Sequence, residues 1–532
     1  MSITSLSFIL FIFAVIALYF IVPKRYQWIV LLIMSWVFYL SISVRAGIYV
    51  LMTATTIYAA TRYMDSVLVK QKAFLKENKS ILSKEEKKAI KAKNKSKRTA
   101  AMVAALLFNL ALLSVFKYFH FALEQINVII DLFGGTPITD HFSFLVPLGI
   151  SFYTFQSIGY LLDSYWEKTA VEKNYFKVLL FVSFFPQMTQ GPISDFSQLT
   201  KELFTEHSFQ YKNYAWGFQR MIWGFFKKMI VADALAPCVS NVFSNYSQYT
   251  GISVFIGALC YSIQIYADFS GYMDIMCGFC EILGIRLTEN FERPYFSKSV
   301  TEYWRRWHIS MGTWFKNYIY YPIGMSSWSR KLAKKCRNRF SKNISNTIPA
   351  TIALVITWLA TGLWHGASWA YIVWGLVNGL FIILSLWMDP VYARIKSFLR
   401  INESTFSWKL FQTLRTFILV TFIKVLPEVG TLSDGLGLWK QIFTNHIIPG
   451  SLGELLPFVE PVFTTLTYSL LLIGIIMMLV VSILQRKHPV RKLFNNMPAA
   501  VRIPVLSVMI IIIASYGVIA TWNGGGFLYA QF

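Results

Sequence analysis

Two histidines carry the chemistry this sequence offers. His365 stands in TWLATGLWHGASWAYIVWG, between apolar stretches and close to Gly362 and Gly366. An ionisable side chain at membrane depth is costly, and it is kept chiefly where it binds something or moves a proton. Glycines beside it let a backbone or a substrate come close, and a helix kinked there would line a cavity. A satisfied hydrogen-bonding residue on an apolar helix is the competing reading. His308 follows Arg305 by three residues, so on a helix the two share a face; from spacing alone an interfacial histidine explains it. Imidazole titrates near neutrality, which suits either residue to general acid–base work. The other five, His120, His141, His207, His446 and His488, lie near turns or beside charges, where a surface role accounts for them.

The elements that must hold these groups follow from hydropathy. Of 532 residues 55% are hydrophobic and 14% charged, where a soluble chain carries about a quarter charged residues. Apolar blocks lie at 5–22, 26–44, 46–66, 100–119, 143–163, 175–193, 213–235, 250–284, 347–364, 368–388, 408–426, 463–485 and 501–521. A crossing needs roughly 20 such residues, so the expected fold is an all-α polytopic membrane protein with about a dozen crossings. The first block has no basic residue before it and no cleavage pattern after it, and reads as a retained crossing.

The net charge of +24 is concentrated. Lys70 to Arg98 holds twelve basic and three acidic residues, and Arg330 to Lys342 holds seven basic and none acidic. Neither run interleaves aromatic residues as a nucleic-acid surface would; loops facing the cytoplasm and anionic lipid fit better. That topology puts both termini outside. Residues 80–98 read as a solvated or lipid-surface helix. In TEYWRRWHISMGTWF, Trp304, Trp307, Met311 and Trp314 recur at one-face helical spacing. A short amphipathic helix at the cytoplasmic interface is expected, with indoles at headgroup level and Arg305 and Arg306 turned to phosphate.

Other chemistries find little support. No P-loop, GxSxG or HExxH motif occurs, which argues against an ATP-driven pump. Cys277 and Cys280 form a CxxC with no second ligand pair, so core packing outweighs zinc. A proton-coupled transporter stays open because Asp163, Asp268 and Asp274 also sit in apolar surroundings, although no internal repeat of two related halves is visible.

Six motifs, in order, resemble the membrane-bound O-acyltransferases, and most closely the branch that holds alginate O-acetylation and teichoic acid D-alanylation proteins. They are GISFYTFQSIGYLLDSYW (149–166), FFPQMTQGPI (184–193), GFFKKMIVADALAP (224–237), YADFSGYMDIMCG (266–278), ENFERPYFSKSVTEYWRRWHIS (289–310) and TGLWHGASW (361–369). The chain departs from the pattern after YIYYPIG, where MSSWSRKLAKKCRNRF replaces a glycine-rich Asn-Arg turn. The resemblance implies a ring of tilted transmembrane helices around a central tunnel, with re-entrant or amphipathic cytoplasmic helices. It implies N-terminal helices over 1–69, a basic cytoplasmic loop over 70–99, a catalytic core over 100–390, C-terminal helices over 391–521 and an extracytoplasmic tail over 522–532.

By resemblance His365 is the catalytic residue and His308 a second functional histidine near the cytoplasmic mouth. The chemistry agrees: a hydroxyl attacking a thioester must give up its proton to a base that titrates near neutrality. The ending FLYAQF is similar to the C-terminal motif of the helper protein of teichoic acid D-alanylation, which makes Tyr529 the expected covalent acyl carrier; an aromatic tail anchored at the interface is the alternative. The implied activity moves an acyl group, acetyl above all, from a cytoplasmic acyl-CoA or acyl-carrier thioester to a cell-envelope polysaccharide across the bacterial cytoplasmic membrane. Acetyl-CoA is the expected donor, Arg305 a donor phosphate contact, and an extracytoplasmic SGNH-hydrolase-like acyltransferase the expected partner. No metal and no tightly bound cofactor are expected. D-alanyl transfer to teichoic acid, the transporter and a non-catalytic export scaffold are the alternatives.

Overall fold

The computed structural model describes residues 3–140, 146–337, 342–447, 450 and 465–517. Among these the chain is helical, with no strand and one isolated β-bridge. Among the described residues six helices are long and apolar enough to cross a membrane: Lys84–Leu132, Gly251–Ile282, Ser345–His365, Trp369–Phe398, Leu466–Leu484 and Ala499–Gly517. Backbone contacts divide the chain into two units, one of residues 1–214 and 280–288, the other of 215–279 and 289–532.

The first unit holds the helices Leu6–Ile21, Gln27–Leu40 and Val44–Glu77; the first two pack with Phe185 through Phe8, Phe11 and Phe38, whose ring centroids lie 5.3–6.0 Å apart in the pairs Phe8–Phe38, Phe11–Phe38, Phe11–Phe185 and Phe38–Phe185. The basic stretch is helical at both ends: Lys70–Glu77 closes one helix, and Ser83 opens the next with a reciprocal cap to Glu86. That next helix, Lys84–Leu132, has 49 residues and runs about 74 Å at 1.5 Å per residue, well beyond a hydrocarbon core of about 30 Å. The apolar block 175–193 does not form one crossing helix. Its helix stops at Ser183, a four-residue turn follows from Phe185 to Met188, and Pro186 removes the N–H a continuous helix would need. Gly149 sits at φ +73, where a Cβ would lie 1.9 Å from the Met188 carbonyl oxygen, so no other residue fits.

The second unit holds both histidines. It takes in, from residue 215 on, an arm that is helical from Tyr211 to Ser244 through a π-turn over Phe226–Ala232. This arm packs on Gly251–Ile282 through paired glycines. A Cβ on Gly224 would lie 2.6 Å from the Gly271 carbonyl oxygen, and one on Gly278 would lie 2.6 Å from that of Gly217. Close backbone approach of this kind is how helices associate where hydrophobicity gives no preference. It brings buried charges together. Lys228 Nζ lies 2.7 Å from Asp233 and 2.6 Å from Asp268; Lys227 Nζ lies 2.7 Å from Asp274 and 2.8 Å from Ser270 Oγ. Arg220 donates to Asp274 at 2.8 Å and grips both carboxylate oxygens of Glu289. Asp268 and Asp274 thus lie in ion pairs that bind two helices together.

The helices Lys342–His365 and Trp369–Phe398 form a hairpin whose three-residue turn follows His365. Gly362 and Gly375 face backbone: their Cβ atoms would lie 2.5 Å from the Tyr371 oxygen and 2.4 Å from the Trp358 oxygen.

Candidate active site

The helix expected through Trp304, Trp307, Met311 and Trp314 is broken in the middle. One helix runs Val300–Arg306, a second Ile309–Phe315, and between them Trp307 is extended and His308 lies at φ +48. A left-handed backbone on a residue with a Cβ costs about 1 kcal/mol or more, and the segment 290–292 supplies the compensation. Ile309 N donates to the Asn290 carbonyl at 3.1 Å, Ser310 N to Asn290 Oδ1 at 2.9 Å, and Glu292 N to the Arg306 carbonyl at 2.9 Å. Phe291 and Trp307 form the isolated bridge. His308 therefore does not share a helix face with Arg305, which is exposed. The indoles of Trp307 and Trp314 are buried at 1% and 8% exposure, inside the protein and not at headgroup level.

His308 and His365 meet through aromatic rings. His308 is fully buried, with the Phe269 ring edge-on at 4.8 Å and the Trp364 ring at 6.0 Å. Trp364 lies 4.9 Å from His365, which Trp374 meets edge-on at 4.7 Å and Tyr371 parallels at 6.2 Å and 12°. One indole thus touches both imidazoles, which are 57 positions apart in the chain. His365 is 4% exposed and ends its helix instead of interrupting it; the expected kink is a helix terminus. Gly366 is required there because a Cβ would lie 2.1 Å from the Tyr371 ring.

Burial pushes the His308 imidazole down to about 3, so it is neutral at physiological pH. The sign for stability follows. Below pH 6.5 the unfolded chain takes a proton at this position and the native chain does not, so stability falls as pH falls from 6.5 toward 3, by about 1.4 kcal/mol per pH unit; above 6.5 His308 contributes no pH dependence. Thermal melting of the wild type and of His308→Phe should therefore diverge between pH 6.5 and 4.5, the wild type losing stability more steeply. Parallel curves would contradict this assignment.

A second layer braces the chamber. Trp304 donates to Asn378 Oδ1 at 3.0 Å and packs edge-on against Trp358 and Trp374 at 5.0 and 5.6 Å. Lys424 Nζ lies 3.7 Å from the Trp307 ring centroid and donates to the Tyr295 hydroxyl at 2.9 Å. Burial pushes the Glu428 carboxyl up to about 7 against hydrogen bonds from Tyr261 and Tyr371 and the charge of Lys424. Sequence reading passed over Asn290, Lys424 and Glu428; the one available signal was a charged or polar residue at the edge of an apolar block. Tyr529, and the part of the basic run from residue 338 to 341, lie outside the described residues.

The chain is similar in sequence to known proteins over this region. A model of the MBOAT, membrane-bound O-acyltransferase family, matches residues 168–423, the region that carries both histidines. The chain is 37% identical over 284 residues to a probable alginate O-acetylase of Azotobacter vinelandii, covering 53% of each chain. It is 32% identical over 309 residues to a peptidoglycan O-acetyltransferase of Helicobacter pylori, covering 52% of this chain and 54% of that one. Over 238 residues it is 27% identical to a teichoic acid D-alanyltransferase of Bacillus subtilis, covering 44% and 57%. The alignments span about half the length of the curated relatives.

Proposed function

We propose that this chain, which belongs through residues 168–423 to the membrane-bound O-acyltransferase family, moves an acetyl group from a cytoplasmic thioester to a hydroxyl destined for a cell-envelope polysaccharide. The observation that carries the reading is the shared indole: Trp364 packs against both imidazoles, His308 and His365. An acyl transfer needs one base and surroundings that keep water from the thioester, and an imidazole packed among buried aromatic rings supports both. The names of relatives at 32–37% identity favour acetyl over the D-alanyl group of the relative at 27%.

In the proposed reaction the acceptor oxygen attacks the thioester carbonyl while His365 takes its proton. The tetrahedral intermediate collapses, the C–S bond breaks, and the thiolate leaves with that proton as free thiol. His308, kept neutral, holds an oxygen or the neighbouring ring in place. Acetyl-CoA is the donor, with Arg305 at the surface as a contact for its phosphates. The first acceptor is the Tyr529 phenol on an outer-side tail. A phenol ionises near pH 10, far below a sugar hydroxyl, so the tyrosyl ester keeps much of the thioester's transfer potential. An extracytoplasmic SGNH-hydrolase-like acyltransferase then carries the group to the polysaccharide. The membrane is the bacterial cytoplasmic membrane, with both termini outside.

The test is intact-mass analysis of the C-terminal peptide after incubating the full-length protein with isotopically labelled acetyl-CoA. Label is expected on Tyr529 in the wild type and absent in Tyr529→Phe, with delivery to acceptor falling at least about 100-fold in that variant. An unlabelled Tyr529 in active wild type, under conditions that trap short-lived esters, removes the relay and leaves direct transfer.

A further inference from the structure

The family match ends at residue 423, and the next five residues carry two costly groups four positions apart, Lys424 and Glu428. Lys424 is 6% exposed, and an ammonium taken out of water is costly unless something compensates it. Its compensation is an aromatic cage: Trp307 at 3.7 Å, Tyr295 at 4.8 Å and Tyr303 at 5.2 Å, together with the Tyr295 hydroxyl. Trp307 immediately precedes the left-handed His308, so the ammonium presses on the residue that sets the bend.

Glu428 does the corresponding thing for the other histidine. Its carboxylate accepts from the Tyr371 and Tyr261 phenols. Tyr371 is the ring parallel to His365, and it lies on the backbone of Gly366, where no side chain could fit beneath it. The ring plane is therefore set by the glycine, and the hydroxyl end by Glu428. Lys424 thus lies on the ring that precedes His308, and Glu428 on the ring that parallels His365.

We propose that Lys424 and Glu428 are paired positioning residues of the acyl-transfer site, Lys424 fixing His308 through Trp307 and Glu428 fixing His365 through Tyr371. The inference rests on His365 being the base. One turn of chain thus bears on both imidazoles, whose carrier segments are also joined by ring packing and by the Trp304–Asn378 hydrogen bond.

The test uses full-length protein in phospholipid nanodiscs with acetyl-CoA, reading thiol release for kcat and KM. Glu428→Gln and Tyr371→Phe are each expected to lower kcat about 10- to 100-fold, with KM for acetyl-CoA within about twofold of wild type. The double variant should be no slower than the slower single one, because both changes cut the same link. Lys424→Met should lose a similar factor, and Lys424→Arg should recover most of it, since a guanidinium also stacks on indole. A structural role alone would give losses that multiply in the double variant, or a lowered melting temperature with kcat unchanged, and either overturns the proposal. Full activity in Glu428→Gln or in Lys424→Met overturns it too. Failure of the underlying reading looks different: His365→Ala would then turn over at the wild-type rate. A dead His365→Ala beside a fully active Glu428→Gln sinks the brace alone.

Discussion

Replacing His365 by alanine is expected to lower acyl transfer by about 1,000-fold or more while the protein still inserts and folds. Proton removal by a positioned base contributes about 10²- to 10⁴-fold, and no second imidazole can substitute, because burial holds His308 near 3 and leaves it a poor base. The ring of His365 is held by Trp364, Trp374 and Tyr371, so its loss leaves a small cavity, with a stability cost of about 1–3 kcal/mol. His365→Gln fills more of that space and should be as inactive. Labelled acetyl delivered per minute is the measurement, alongside melting temperature. Normal acylation in His365→Ala would favour a scaffold for polysaccharide export. Proton-linked substrate flux that survives loss of both histidines would favour a transporter.

The largest expected structural effect lies one helix away, at Gly375. A Cβ there would stand 2.4 Å from the Trp358 carbonyl oxygen and 3.0 Å from the Gly362 backbone, so the obstacle is main chain and cannot rotate aside. Gly375→Val must therefore separate the two helices of the hairpin. Overpacking of this kind costs about 1–3 kcal/mol or more, and the displaced helix also carries Trp374 and Tyr371, the two rings against His365. We expect a drop in melting temperature and a loss of transfer beyond about 100-fold. Gly312→Ala is the control, since its Cβ would meet only the Trp304 oxygen at 3.5 Å. Equal behaviour of the two variants would show that the hairpin contact is not what seats the imidazole.

The parts of this site that follow from composition and local pattern were readable in the sequence. Block hydropathy led to an all-helical membrane protein, and the glycines around His365 signalled close approach, which Gly362 and Gly366 make. What escaped depends on pairing across the chain. Spacing from Trp304 to Trp314 fits one helix, but Asn290 takes the N–H groups of residues 309 and 310, and that tertiary bond outweighs local period. Asp268 and Asp274 stood out as ionisable residues in apolar surroundings, which equally suits a proton path. Their partners Lys228 and Lys227 lie 40 and 47 positions earlier, and no local pattern links them. Lys424 and Glu428 were hidden for the same reason: a charge at the end of an apolar block ordinarily faces solvent or headgroups, and only the folded cage shows otherwise.

The buried ion pairs also bear on how the chain is made. The arm from Tyr211 to Ser244 emerges first, carrying Arg220, Lys227 and Lys228 against a single carboxylate, Asp233. Their remaining neutralising groups, Asp268, Asp274 and Glu289, leave the ribosome later. Each uncompensated cation at the centre of a lone helix opposes insertion by about 2.5–3.5 kcal/mol. The first arm is thus a poor candidate for stepping sideways into lipid by itself, and the favourable course is to wait at the insertion channel until the helix Gly251–Ile282 arrives, so that the two enter the bilayer as a hairpin already closed by its own charges.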